Sequence, residues 1–151
     1  ADTISVKKKC VKIVKDNGNL FELKKPVGED LKLQIIEYLK NNGIDVDIGL
    51  SFLGDEQTYN DILLEFKNNF INQMDEIRKL FESKDIANYA VKVHALKSNC
   101  RTLGIVPFAQ IAYDHEMKSK ENDVNYVNEH FNDLIQAKDK WKQIINTYLE
   151  S

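Results

Sequence analysis

This chain has few cysteines, no long apolar stretch and no excess of basic residues. Each of these features argues against a class of protein. The sequence of 151 residues has two cysteines, Cys10 and Cys100, which lie far apart in dissimilar contexts. A disulfide framework is therefore not expected, and both thiols should be reduced. No stretch approaches the roughly 20 apolar residues that cross a bilayer, and the N-terminus lacks the apolar core of a secretory signal. We therefore expect a cytoplasmic chain that does not insert into membranes.

The charge balance argues against a nucleic-acid binder. The formal net charge is −3 and 30% of the residues are charged, whereas nucleic-acid binders usually show a strongly basic face or stripe. Hydrophobic residues make up 42% of the sequence, which is enough for one packed domain. The chain begins at Ala1 without a methionine, which is compatible with a piece of a longer protein.

The first part of the chain differs from the rest in charge and in pattern. Up to Lys25 there are seven lysines and three acidic residues, a net charge of +4, so the remainder carries −7. Apolar and polar residues alternate over 10–15 and 20–24, on both sides of the sequence DNGN at 16–19. This pattern predicts a β-hairpin of two short strands.

A short helix is predicted after the hairpin. It should end near Gly43, because glycine readily adopts the left-handed conformation that closes a helix. The residues that follow, 41–54, are predicted to form a loop. We therefore divide the chain into an N-terminal extension, residues 1–43, and a main domain, residues 44–151. The segment 20–40 resembles the last strand and helix of a response-regulator receiver domain, and a local hairpin and helix that pack on the main domain are the alternative.

From residue 54 onward the apolar positions follow the helical period, and the chain predicts four long helices. Asp55 and Asp85 are placed to cap the first two, Gly104 to end the second and Pro107 to begin the third. The fourth is predicted over about 123–149. Short connections between long amphipathic helices favour antiparallel neighbours, so we predict an all-α protein with an antiparallel four-helix bundle. The predicted inward positions are Tyr59, Ile62, Leu63, Phe66, Phe70, Ile77 and Phe81, then Ile86, Tyr89, Val93, Leu96, Cys100 and Leu103, then Phe108, Ile111 and Ala112, and finally Val124, Val127, Phe131, Leu134, Trp141, Ile145 and Tyr148.

His94 is the residue in this pattern that most strongly suggests a chemical function. It lies one step off the apolar stripe of the second helix, with Lys97 and Ser98 as helical neighbours, so it should sit at the edge of the solvent face. A free imidazole has a pKa near 6.5, so at about neutral pH much of it is neutral and nucleophilic. Such a ring can attack an acyl phosphate, and a nearby ammonium can meet the negative charge that the phosphoryl group brings. The pattern predicts transient carriage of a phosphoryl group.

Residues 44–149 resemble the histidine-containing phosphotransfer (HPt) domain of bacterial phosphorelays. Two segments carry the resemblance: GLSFLGDEQTY at 49–59 is similar to the start of the family's first bundle helix, and HALKS at 94–98 with Leu103-Gly104 is similar to its phosphoacceptor signature. The resemblance implies that His94 accepts a phosphoryl group from a receiver aspartate and passes it to another receiver. It also implies receiver domains and a histidine kinase as partners, magnesium on the receiver rather than here, and no cofactor or enzymatic turnover of the chain's own.

The resemblance extends to two neighbours of the histidine. The family usually has glycine directly after the lysine, where Ser98 stands here, so the docking geometry of a receiver should differ. The family often places a polar side chain opposite the histidine on the third helix. By count along the antiparallel pair Glu116 falls there, and a carboxylate that accepts from Nδ1 would aim Nε2 outward. A register error of one residue would substitute His115 or Ala112.

Three basic residues near the histidine are candidates for contact with phosphate or with a receiver. An exposed lysine beside an anion contributes about 0.2–1 kcal/mol, so Lys97 is predicted to tune the phosphorylated state rather than to be indispensable. Lys92 and Arg101 form either a basic rim for a receiver or ordinary solvated charges.

Other readings of the chain remain open at the level of sequence. It could be the phosphoacceptor segment of a larger hybrid sensor kinase or chemotaxis-type kinase, or a helical interaction module that carries no phosphate. His115 and His130 are predicted to be ordinary surface or boundary residues, and Cys100 a packing residue. No metal site is expected from His94, His115 and Glu116, because a compact ligand motif is missing.

Overall fold

The computed structural model describes residues 29–150, with side chains from residue 33. This part of the chain consists of six helices: α1 (Glu29–Asn41), α2 (Val46–Leu53), α3 (Glu56–Glu82), α4 (Ile86–Leu103), α5 (Val106–Lys120) and α6 (Val124–Glu150). Within residues 29–150 no strand occurs, and one isolated antiparallel bridge joins Ile44 to Ile105. The all-α class is confirmed for these residues, whereas the predicted hairpin over 10–24 lies outside them.

The predicted start and stop signals lie at the ends of the helices. The Asp55 carboxylate accepts a hydrogen bond from the backbone N–H of Thr58 at 2.8 Å, and the Asp85 carboxylate caps α4 through the N–H of Asn88 at 3.2 Å. Gly104 ends α4 in the left-handed conformation, with φ of 78°. Each cap satisfies a backbone group that the helix itself leaves unpaired, which fixes where the helix begins or ends.

Helices α3 to α6 pack as an antiparallel bundle with connections of two or three residues. At one end, the Tyr59 hydroxyl at the start of α3 donates to the carbonyl oxygen of Leu103 at the end of α4, 2.8 Å away. The Tyr59 ring also contacts Tyr148 near the end of α6, with centroids 6.1 Å apart. At the other end, Phe81 of α3 stacks on Phe131 of α6 at 3.8 Å. The bundle is closed because α6 returns to α3.

The predicted apolar stripes form most of the core. Cys100 is fully buried as a packing residue, and burial raises the pKa of its thiol. One prediction is wrong, because the Ile62 side chain is 36% exposed on the flank of α3 while Leu63 beside it is fully buried. The buried residues common to prediction and structure are Tyr59, Leu63, Phe66, Phe70, Ile77, Tyr89, Val93, Leu96, Cys100, Leu103, Phe108, Ala112, Val127, Phe131, Leu134, Trp141 and Ile145.

The predicted loop over 41–54 is also wrong, because it contains α2. Asp45 caps this helix by accepting from the backbone N–H of Asp47 at 3.1 Å. Eight residues are too few to show a clear helical period, and Gly49 suggests a break in the sequence. In the structure Gly49 is buried, and a Cβ there would lie 2.1 Å from the Tyr59 ring, so the glycine permits close packing. Helix α2 thereby rests on α3 and α4.

Gly104 provides a test of this packing. Its backbone has positive φ, and a Cβ there would lie 2.0 Å from the carbonyl oxygen of Asp45. We expect Gly104→Ala to lower the free energy of unfolding by about 3 kcal/mol or more, through backbone strain plus the clash. Gly54→Ala is the matched control, because Gly54 has φ of 89° but nothing within 4 Å of the added Cβ. It should cost only the backbone strain, about 1–2 kcal/mol. Urea unfolding measures both, and equal losses would contradict the close approach.

Candidate functional site

His94 lies in the middle of α4, where the predicted position at the edge of the solvent face is confirmed. Its neighbours Val93 and Leu96 are fully buried, whereas the His94 side chain is 54% exposed. Because successive helical residues point about 100° apart, a residue next to the buried stripe reaches solvent at its margin. The ring is thus held on a rigid helix and still open on one side.

Glu116 of α5 contacts the inner nitrogen of this ring. Its Oε1 lies 2.8 Å from His94 Nδ1, and the glutamate is 2% exposed. The predicted register therefore holds, and neither His115 nor Ala112 takes this place. A carboxylate accepts hydrogen bonds only, so Nδ1 carries the proton and Nε2 keeps a free lone pair. Among residues 33–150, whose side chains the structure describes, none forms a hydrogen bond with Nε2, and more than half of the His94 side chain is exposed.

Two lysines share the same carboxylate. Lys97 of α4 donates to Oε2 of Glu116 at 2.6 Å, and Lys120 of α5 donates to Oε1. Burial would raise the pKa of Glu116, but the hydrogen bonds from Lys120, Lys97 and His94 outweigh burial and lower the pKa to about 2. The carboxylate is therefore ionised at neutral pH, and it links the imidazole to two ammonium groups.

The exposure predicted for Lys97 is wrong. Its side chain is 10% exposed, whereas that of Lys120 is 56% exposed. The Lys97 ammonium lies 3.3 Å from Nδ1 of His94, but that nitrogen already carries a proton and cannot accept from it. Amphipathic periodicity indicates where a lysine lies on a helix, but its carboxylate partner 19 residues later leaves no local signal. Lys120 was missed although its spacing of four residues from Glu116 is a local signal for an ion pair on one helix.

The remaining predicted residues lie on α4 without touching the imidazole. Lys92 pairs with Glu76 of α3, and the Arg101 guanidinium lies 5.5 Å from the centre of the Tyr113 ring. The Ser98 hydroxyl donates to the backbone carbonyl oxygen of His94 at 3.0 Å, so it is turned back onto its own helix. A role for Lys92 and Arg101 as a rim for a receiver stays a prediction.

His94 borders an open groove of about 560 Å³ between α4 and the end of α5. Its wall on α4 is apolar, and Val91 is 63% exposed there. Lys120 is the single cation among the described residues that line the groove. Lys97 lies one turn along α4 from His94 and outside that lining, with its ammonium 5.7 Å from the ring of Tyr113 on α5. The lining residues are Ile86, Ala87, Ala90, Val91, His94, Ser119, Lys120 and Asn122.

His115 is buried, which corrects the prediction of a surface or boundary residue. Its Nε2 donates to the backbone carbonyl oxygen of His130 at 3.2 Å, and the Tyr89 hydroxyl donates to Nδ1 at 2.8 Å. Both ring nitrogens are satisfied in the neutral form, and burial lowers the pKa of His115. Its spacing of three residues from the inward Ala112 is the signal that could have predicted burial.

Residues 29–150 contain no group of three or more His, Cys, Asp or Glu side chains arranged to hold a metal ion. Their helices also include none that is both long enough and apolar enough to span a bilayer.

Removing the charge of Glu116 tests the shared carboxylate. We expect Glu116→Gln to lower the free energy of unfolding by about 2–4 kcal/mol, because it leaves the Lys97 ammonium nearly buried without a counter-charge. Glu121→Gln is the control, because the exposed Glu121 pairs with Lys118 on the surface. That change should stay within about 0.5 kcal/mol. Chemical unfolding at pH 7 measures both, and a small loss for Glu116→Gln would contradict the burial of this network.

His115 should make stability depend on pH. The pKa of His115 is lowered in the folded state. Below about pH 6.5 this histidine therefore binds a proton in the unfolded chain while it stays neutral in the folded chain. Stability should therefore fall as the pH falls below about 6.5, by up to about 1.4 kcal/mol per pH unit. Urea unfolding from pH 7.5 to 5 should show a shallower slope for His115→Gln than for the wild type. His130→Gln should keep most of the wild-type slope, because burial is the main cause of the lowered pKa of His115 and the charge of His130 a lesser one. An unchanged slope in His115→Gln would refute the prediction.

Comparison of the chain with models of known protein families, with curated proteins and with solved structures gives no match. The site itself combines an exposed His94 ring, a buried ionised carboxylate at Nδ1 and a neighbouring groove with an apolar wall.

Proposed function

We propose that this protein is a histidine phosphotransfer carrier of the HPt type, which accepts a phosphoryl group on Nε2 of His94 from a receiver aspartate and passes it to another receiver. One observation carries the proposal: an exposed imidazole on a bundle helix has Nδ1 held by a buried, ionised carboxylate, and none of the described residues forms a hydrogen bond with Nε2. The all-α bundle agrees with the fold that the resemblance implies. The proposed setting is the cytoplasm, where a phosphorelay operates.

The chemistry of the step follows from the protonation of the ring. The Nε2 lone pair forms an N–P bond while the acyl P–O bond breaks, and the receiver aspartate leaves as a carboxylate. The imidazole becomes cationic and keeps its proton on Nδ1. The Glu116 carboxylate accepts that proton's hydrogen bond and stabilises the positive charge, as the aspartate of a catalytic triad does for its histidine. Onward transfer reverses these changes, and magnesium would belong to the receiver.

The groove beside His94 supports docking of a receiver. An acyl phosphate sits in a concave site on its own protein, so the nucleophile must come from a convex, exposed position, and His94 on the face of α4 meets that requirement. The exposed Val91 and the alanines around it offer apolar contact area next to the ring. Lys92 and Arg101, on the two flanks of α4, would then lie at the rim of the interface.

Replacing the nucleophile tests the function. We expect phosphoramidate, or a phosphorylated receiver, to label the wild-type protein on histidine, in a form stable to alkali and labile to acid. His94→Gln should lose the label completely. Its free energy of unfolding should stay within about 1.5 kcal/mol of the wild type, because the change affects one hydrogen bond to Glu116 from a side chain that is otherwise exposed. The measurement is quantitation of phosphohistidine with mapping of the modified peptide.

His130→Gln is the matched control, since His130 is a partly exposed histidine on α6. It should label like the wild type. Persistent labelling of His94→Gln, or no labelling of the wild type by either donor, would refute the proposal. In the second case, partner binding that is unchanged by His94→Gln would favour a helical interaction module that carries no phosphate. The same His94 chemistry would serve the phosphoacceptor segment of a larger kinase, and an ATP-binding domain in a longer chain would identify that case.

A further inference from the structure

The two lysines on Glu116 occupy different environments, although the sequence around His94 points to Lys97 alone. The Lys97 side chain is 10% exposed and its ammonium is bound to Oε2. The Lys120 side chain is 56% exposed and its ammonium is bound to Oε1, the same oxygen that accepts from Nδ1 of His94. One lysine is therefore enclosed by the bundle, and the other stands in solvent next to the reactive ring.

Lys97 is poorly placed to leave its carboxylate. If its ammonium moved to a phosphoryl group on Nε2, it would have to give up a short, nearly buried ion pair, and Oε2 of Glu116 would lose its cation. Separating a buried pair costs much more than separating an exposed one. Lys97 also lies one turn along α4 from His94, beside Tyr113, and is not among the residues that line the groove. Its position suits a residue that holds Glu116 in place.

Lys120 has the opposite properties. It lines the same groove as His94, and its exposed ion pair with Glu116 is weak enough to exchange. A phosphoryl group brings close to two negative charges and three acceptor oxygens, so it attracts an ammonium more strongly than a carboxylate that is already shared. If Lys120 moves, Glu116 keeps its hydrogen bonds from Lys97 and from Nδ1 of His94. Every charged group is then still paired.

We infer that Lys120 is the cation that binds the phosphoryl group on His94, exchanging Oε1 of Glu116 for a phosphoryl oxygen, while Lys97 is a positioning residue that acts through Glu116. The inference rests on the proposed function and adds a residue to it. This exchange breaks the hydrogen bond from Lys120 to Oε1 of Glu116 and forms one to a phosphoryl oxygen. The N–P bond itself forms when the acyl P–O bond of the receiver breaks.

The experiment compares single variants of the whole chain after reaction with phosphoramidate. It measures the rate of phosphohistidine formation and the ³¹P NMR titration midpoint of phosphorylated His94. Lys120→Met should form phosphohistidine about 3- to 10-fold more slowly. Its ³¹P titration midpoint should rise by about 0.5–1 pH unit, because a shift of that size corresponds to the same free energy as the change in rate. Lys120→Arg should return both values to within about twofold of the wild type, because it keeps the charge.

Lys118→Met is the matched control, because Lys118 is two residues away on α5 and pairs with Glu121. It should behave like the wild type in both measurements. Lys97→Met should alter the ¹⁵N signals of the unmodified His94 ring, which report the Nδ1 contact, and leave the ³¹P midpoint unchanged. Lys120→Met should raise the ³¹P midpoint, whatever change the loss of its contact with Oε1 of Glu116 makes to the ¹⁵N signals.

The outcomes separate this inference from the proposed function. Wild-type protein without label on His94 would overturn both. Normal labelling of His94, with Lys120→Met indistinguishable from Lys118→Met, would overturn only the role of Lys120, and a raised ³¹P midpoint in Lys97→Met would assign the phosphoryl contact to Lys97 instead. Lys120 and Lys118 are both substantially exposed, so the decisive pair of variants does not depend on a change in the core.

Discussion

The Glu116 carboxylate organises the site of this protein. It is almost completely buried, yet it stays ionised because an imidazole and two ammonium groups donate to its two oxygens. Without these donors, burial of a carboxylate would favour the protonated form. The same contacts join α4 to α5 at the level of His94. Packing of the bundle and orientation of the reactive ring are therefore two results of one electrostatic arrangement.

Much of the fold could be predicted from local signals. Asp55, Asp85 and Gly104 each act within one helical turn, so their effect on helix ends is visible in the sequence. The apolar stripes repeat over four or more turns, which makes the long helices and most of their inward positions predictable. Helix α2 was missed because it is short and because Gly49 suggests a break, whereas its glycine serves a contact with Tyr59 on another helix.

The candidate site was predictable only in part. Features that depend on one helix could be predicted, whereas features that depend on side chains from two helices mostly could not. His94 and its edge position depend on α4 alone. Glu116 required a count across an antiparallel pair, which short connections make dependable. The burial of Lys97 and the participation of Lys120 depend on how three side chains share two oxygens, and periodicity carries no information about that. His115 was misjudged because a histidine shows its polar character in sequence, while its two hydrogen bonds appear only in the packed bundle.

One nitrogen of the His94 ring, Nε2, has no hydrogen-bond partner among the described residues, and the ring borders one groove. In a carrier built this way, the donor and the acceptor must visit the same face in turn, and the first has to depart before the second can approach. The phosphorylated chain is then an obligatory free intermediate with a lifetime of its own. Donor and acceptor would bind the same site on the unphosphorylated chain. The direction of phosphoryl transfer would then be set by the relative free energies and concentrations of the two partners.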